Sequence, residues 1–129
     1  MILLDTHVLL WMTLEPDRLS RTAIAAIHNA RQAGTISISD ITLWEIASLV
    51  QHGRIEIGGT LDAFLQEISQ PVVVKPITAA IASMTAQLPD DYPRDPADRL
   101  IGATSRVEGL ALVTADRELR RCSLLKTIW

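Results

Sequence analysis

Cysteine is almost missing from this chain: Cys122 stands alone among 129 residues. One thiol builds neither a disulfide framework nor the clustered ligands of a structural zinc site, so a reduced, cytoplasmic setting is expected. Aromatic side chains are scarce too, at 4% against a hydrophobic share of 48%. The core must therefore be aliphatic, and the chain is too apolar to be disordered. No apolar run approaches the roughly 18 residues of a membrane-spanning helix. The opening Met1-Ile2-Leu3-Leu4 has no basic flank and is stopped by Asp5, which speaks against a secretory signal. Internal repeats, a Gly-rich phosphate loop and a nucleophilic triad are absent as well. Basic residues are in deficit, 12 Lys and Arg against 15 Asp and Glu, which at first argues against a nucleic-acid partner. The distribution softens this, because residues 94–129 hold seven basic residues and five acidic ones.

What is present reads as one domain over residues 1–129, large enough to bury a core without staples. Ile2-Leu3-Leu4 looks like a strand buried on both faces. Val8–Leu14 is helical by length, and Ser20 can cap a helix that ends at Gly34. Thr35–Ser39 alternates as a second strand, and Ser39 or Asp40 caps a helix over Ile41–Gln51. Thr60 caps a helix through Ile68, Val72–Pro76 is a third strand, and Thr78 caps a helix over Ala79–Leu88. A polar loop, Pro89–Arg94, leads to Asp95-Pro96-Ala97-Asp98, a helix start with its cap, proline and first-turn acid in place. That helix runs to Gly109. Leu110–Thr114 is a fourth strand, and Leu124–Trp129 adds a short edge strand. The order predicts an α/β fold with a mostly parallel sheet of four to five strands and helices on both sides.

Four acids recur where such a sheet places ligands, outside the carboxyl ends of its strands. Asp5 ends the first strand, Glu45 lies early in the helix after the second, Asp98 opens the helix before the fourth, and Asp116 follows the fourth. Each also has a local explanation: Asp5 and Asp116 as turn residues, Glu45 as a solvated helix residue, Asp98 as first-turn acid. Hard divalent cations take such oxygen ligands, and Mg²⁺ keeps waters and binds substrate phosphate. Asp95 reads first as a cap and second as an auxiliary acid. His7 adjoins the crevice, Thr6 and Thr114 are placed to hydrogen-bond the acids, and His7, Arg94, Arg99 and Arg117 are candidate phosphate contacts. His28, His52 and Cys122 show no metal or catalytic spacing, and Asp40 reads as solvated.

Taken together, Ile2-Leu3-Leu4-Asp5-Thr6-His7, Trp44-Glu45-Ile46, Asp95-Pro96-Ala97-Asp98-Arg99-Leu100-Ile101 and Leu112-Val113-Thr114-Ala115-Asp116 resemble a PIN domain of the VapC-type toxin family. The match spans nearly the whole chain. The resemblance implies a three-layer α/β/α PIN-like sandwich and a Mg²⁺- or Mn²⁺-dependent endoribonuclease acting on RNA. It further implies a homodimer, an antitoxin encoded beside it, and Asp5, Glu45, Asp98 and Asp116 as the acidic quartet. Gly102 stands where relatives often carry Ala. Two rivals differ in class. A receiver-like regulatory domain requires an acid pair beside the first acid, a phosphoacceptor Asp after strand three and a Lys after the last main strand. Here Thr6, Lys75-Pro76 and Arg117 stand near those places. A non-catalytic binding module would not need the quartet.

Overall fold

The structure, a computed structural model, describes residues 1–129. Five strands, β1 (Ile2–Leu4), β2 (Ile36–Ser39), β3 (Val73–Lys75), β4 (Ala111–Val113) and β5 (Thr127–Ile128), form one sheet in the order β3-β2-β1-β4-β5. Every pairing is parallel. Parallel neighbours need crossovers, and seven helices supply them: α1 (Thr6–Leu14), α2 (Arg21–Ala33), α3 (Asp40–Gln51), α4 (Leu61–Ser69), α5 (Ala79–Met84), α6 (Pro96–Glu108) and α7 (Arg117–Arg121). The predicted α/β sandwich with a mostly parallel sheet is what forms. No helix is long and apolar enough to cross a membrane.

Successive strand residues point to opposite faces, so each central strand feeds two cores. Leu4 and Val113 join one cluster with Val8, Leu9, Ile27, Ile38, Ile46, Phe64 and Ile68. Leu3 and Leu112 join the other, with Leu88, Tyr92, Ile101 and Leu119. Both sheet faces are thereby covered, which makes three layers.

The capping reads hold in detail. Side chains of Ser20, Ser39, Thr60, Thr78 and Asp95 each accept an amide hydrogen bond at their helix starts. Gly34 closes α2 at φ 66°, a left-handed conformation that glycine adopts without steric cost. Two expectations change. The helix foreseen over Ala79–Leu88 stops at Met84 and tightens into a 3₁₀ turn over Thr85–Gln87. There the Thr85 hydroxyl donates to the Ala82 carbonyl, three residues back, offering the backbone a competing partner. The second strand forms as expected, with all four of its residues buried; Ser37 donates to the Ile2 carbonyl at 2.7 Å and so satisfies its hydroxyl inside the sheet. Asp40 is half-buried and only partly solvated: Oδ2 accepts from the Ile77 amide, while Oδ1 is buried without a partner.

Candidate active site

The strand order places the switch point between β1 and β4, where the chain leaves the sheet toward opposite sides and a crevice opens. Asp5 sits at the end of β1 and is only 3% exposed. Its carboxylate is held by two donors. Oδ1 accepts from the Thr6 amide as the cap of α1, which starts two residues earlier than its apolar run suggests. Oδ2 accepts from the Thr114 hydroxyl at 2.7 Å. Thr114 is fully buried and its oxygen also accepts from the Asp116 amide at 3.0 Å. One hydroxyl thus ties Asp5 on β1 to Asp116 beyond β4.

Asp116 in turn caps α7, with Oδ1 accepting from the Glu118 and Leu119 amides. This five-residue helix went unforeseen because it is too short to show a period; the signal was the cap itself. On the other side of Asp5, the Thr6 hydroxyl donates to Glu45. Its single proton is then spent, so the 3.1 Å contact with Thr42 must run from the Thr42 hydroxyl to Thr6. Thr42 is fully buried, one helical turn before Glu45 on the same face of α3. Its spacing to Glu45 was the available clue to this missed residue.

The acids feel one another. Burial pushes the Asp98 carboxyl up to about 7, and the charges of Asp5, Asp95, Glu45 and Asp116 add to the rise. Glu45 is also raised, first by burial, then by Asp5 and Asp95, against the lowering effect of its bond from Thr6. The structure therefore brings Asp5, Glu45, Asp98 and Asp116 into one electrostatic neighbourhood, with Asp95 at its edge. No Lys or Arg forms a salt bridge with any of them. Asp95 acts as the cap of α6, Oδ1 accepting from the Ala97 and Asp98 amides.

His7 and Arg99 are placed differently from the expected phosphate contacts. The Ala115 amide can only donate, so His7 Nε2 presents its lone pair to it at 3.1 Å. The ring proton then belongs on Nδ1, 3.5 Å from Asp5 Oδ2. Both nitrogens face protein groups, and the ring packs against Trp11, which meets Trp129. His7 is a bolt between the ends of β1 and β4. Arg99 donates to the carbonyls of Pro93 and Thr85 and lies over the Tyr92 ring, so its guanidinium anchors the 89–95 loop. Arg94 and Arg117 are exposed.

Whether these acids suit a divalent cation is a question of donor chemistry. No three His, Cys, Asp or Glu side chains close into a ready ligand cluster. What the crevice offers is several hard oxygen donors whose mutual repulsion is unrelieved, the condition that a partly hydrated Mg²⁺ or Mn²⁺ relieves. The residues fit such an ion.

An all-parallel α/β/α sandwich with uncompensated carboxylates gathered at its switch point defines a class of acidic-crevice proteins. The PIN domain family model matches residues 2–124, and the chain belongs to that family. It is 40% identical over 119 residues to ribonuclease VapC22 of Mycobacterium tuberculosis, covering 92% of this chain and 89% of that one. Among solved structures it resembles VapBC2 of Rickettsia felis bound to a promoter DNA fragment, with a TM-score of 0.75 at 17% identity over 98% of this chain and 97% of that one. It also resembles a toxin–antitoxin complex from Klebsiella pneumoniae, with a TM-score of 0.65 at 20% identity, covering 97% and 95%. At these identities the two solved structures speak to the fold.

Proposed function

We propose that the chain is a metal-dependent endoribonuclease that hydrolyses RNA phosphodiester bonds in the cytoplasm, as the toxin of a toxin–antitoxin pair. The observation that carries this reading is the gathering of Asp5, Glu45, Asp98 and Asp116 at the switch point with no basic residue paired to any of them; burial and the surrounding acids accordingly push the Asp98 carboxyl up to about 7. With Asp5 buried and Glu45, Asp98 and Asp116 half-buried around it, gathered negative charge is costly unless a cation completes it. The ribonuclease relative supports RNA as substrate, and the toxin–antitoxin neighbours support the partner.

Asp5, Glu45, Asp98 and Asp116 would hold Mg²⁺ or Mn²⁺ directly or through water. When bound, such an ion neutralises phosphate charge, activates water and stabilises the leaving oxygen. The chain's own residues prepare this. Thr6 and Thr114 fix the Glu45 and Asp5 carboxylates by donating to them. Asp116 has Oδ1 spent on its helix cap, so Oδ2 remains to complete the shell or orient the attacking water. His7 keeps the β4 end seated against β1, and Asp95 holds the first turn of α6 so that Asp98 faces the crevice.

The test is cleavage of total cellular RNA with Mg²⁺, with Mn²⁺ and with EDTA, using Asp5→Asn as control. Cleavage by the wild type that EDTA and Asp5→Asn both abolish is expected. Cleavage that survives EDTA sinks the metal-dependent reading, and no cleavage in either metal favours a non-catalytic binding module.

A further inference from the structure

The charges on α7 have no function inside the molecule. Arg117, Arg120 and Arg121 are all exposed and line, with Thr127, an open groove of about 370 Å³ that has no hydrophobic residue in its wall. Three arginines are committed: Arg18 pairs with Glu15, Arg99 donates to two backbone carbonyls, and Arg106 donates to the Leu124 carbonyl; Arg21, Arg31, Arg54 and Arg94 are exposed and unpaired like those of α7, but only on α7 do three line one groove. The α7 arginines make no salt bridge. Arg121 also borders a small pocket with Asp91 and Glu118, again without an ion pair. At spacings of three and four residues along one short helix these like charges repel, in a chain of net charge −3. Yet α7 is rigidly set. Asp116 caps it, and Leu119 between the arginines is fully buried.

We propose that Arg117, Arg120 and Arg121 form a track for the sugar-phosphate backbone of RNA, carrying the strand away from the acid crevice along α7. The inference rests on the ribonuclease reading for its choice of ligand. Position supports it: Asp116, whose charge acts on Asp98, is also the cap of α7, so the helix that carries the three arginines starts at the rim of the acid crevice. A wall with only guanidinium and hydroxyl groups suits a polyanion read through its phosphates, not through its bases. The same cations placed far from the acids would favour an acidic protein instead.

The experiment is binding of a labelled single-stranded RNA of about 20 nucleotides, followed by fluorescence anisotropy across a salt series. The protein is Asp5→Asn, alone and combined with Arg120→Gln/Arg121→Gln. Expected is an affinity loss of about tenfold and a fall of about 1.4 in the slope of log affinity against log salt, for two phosphate contacts on a single strand. Unchanged affinity and slope overturn the proposal. So does unchanged RNA affinity with weakened binding of a polyglutamate peptide, which assigns the groove to an acidic protein. Cleavage by the wild type is scored separately. A protein that binds RNA through these arginines but cuts none keeps the track and loses the ribonuclease reading.

Discussion

The phenol of Tyr92 occupies the space that a β-carbon at position 102 would need. Tyr92 is 3% exposed, and its hydroxyl donates to the Asp98 carbonyl at 2.7 Å. A β-carbon built on Gly102 would fall on that hydroxyl oxygen and lie 2.8 Å from Cζ. The ring cannot swing clear, because it is packed among Leu3, Leu88, Ile101 and Leu112, and burial pushes its hydroxyl pKa up, keeping the donor protonated. Gly102→Ala is therefore expected to destabilise by about 1–3 kcal/mol through overpacking. Tyr92→Phe alone costs about 0.5–1.5 kcal/mol for the hydrogen bond. In the Tyr92→Phe background the alanine costs less, though not nothing, since Cζ remains too close. A urea double-mutant cycle measures the coupling, and additive effects would refute the contact.

This pair also shows why the chain was legible in some places and opaque in others. Caps, breakers and apolar periods act within a few residues, so Ser20, Gly34, Thr60 and Asp95 mark their helices correctly. The acids were legible because strand ends in a parallel sheet converge. By contrast, the partners of Tyr92, His7, Thr42 and Arg99 depend on tertiary neighbours that no local pattern encodes. Gly102 looked like a variation in helix packing, and only the structure shows what lies over it. Arg99 follows Asp98 in sequence and so looked like a phosphate contact, but a helix turns each successive side chain by about 100°, which carries its guanidinium to the loop carbonyls.

Thr6 gives a prediction about pH. Its hydroxyl lowers the Glu45 pKa against burial, so Thr6→Val lets Glu45 rise further. The carboxylate needed for a cation then forms only at higher pH, and the rising limb of the cleavage profile shifts alkaline. Thr6→Ser, which keeps the hydroxyl, restores the wild-type limb. Equal profiles for Val and Ser would show that the bond does not tune Glu45.

Thr114 gives a prediction about coupling across the sheet. Thr114→Val removes the hydroxyl donor to the buried Asp5 Oδ2 and the acceptor of the half-buried Asp116 amide. A destabilisation of about 1–3 kcal/mol per orphaned group is expected, with cleavage reduced more than stability alone explains. Thr114→Ser should recover most of both. Thermal melts beside cleavage rates at a temperature where all variants are folded separate the two effects.

Asp98 gives the prediction with the sharpest sign. Its carboxyl rises from 3.8 unfolded to about 7 folded, so the folded state binds that proton more tightly and ionisation costs stability. Below about 4 both states are protonated and no penalty exists; it grows from there and is complete above 7. In EDTA the protein should therefore lose stability as pH rises from about 4 to 7, Glu45 contributing in the same direction. Asp98→Asn should flatten that fall and, in EDTA at pH 8, melt no lower than the wild type, although it cleaves nothing. Mg²⁺ or Mn²⁺ should raise the wild-type melting temperature at pH 8 and do little at pH 5, where a proton already occupies the site. Melting curves over this grid of pH and metal decide the matter. A wild type that stays equally stable across the range in EDTA, or gains as much from metal at pH 5 as at pH 8, would show that the carboxyl does not carry the charge burden assigned to it.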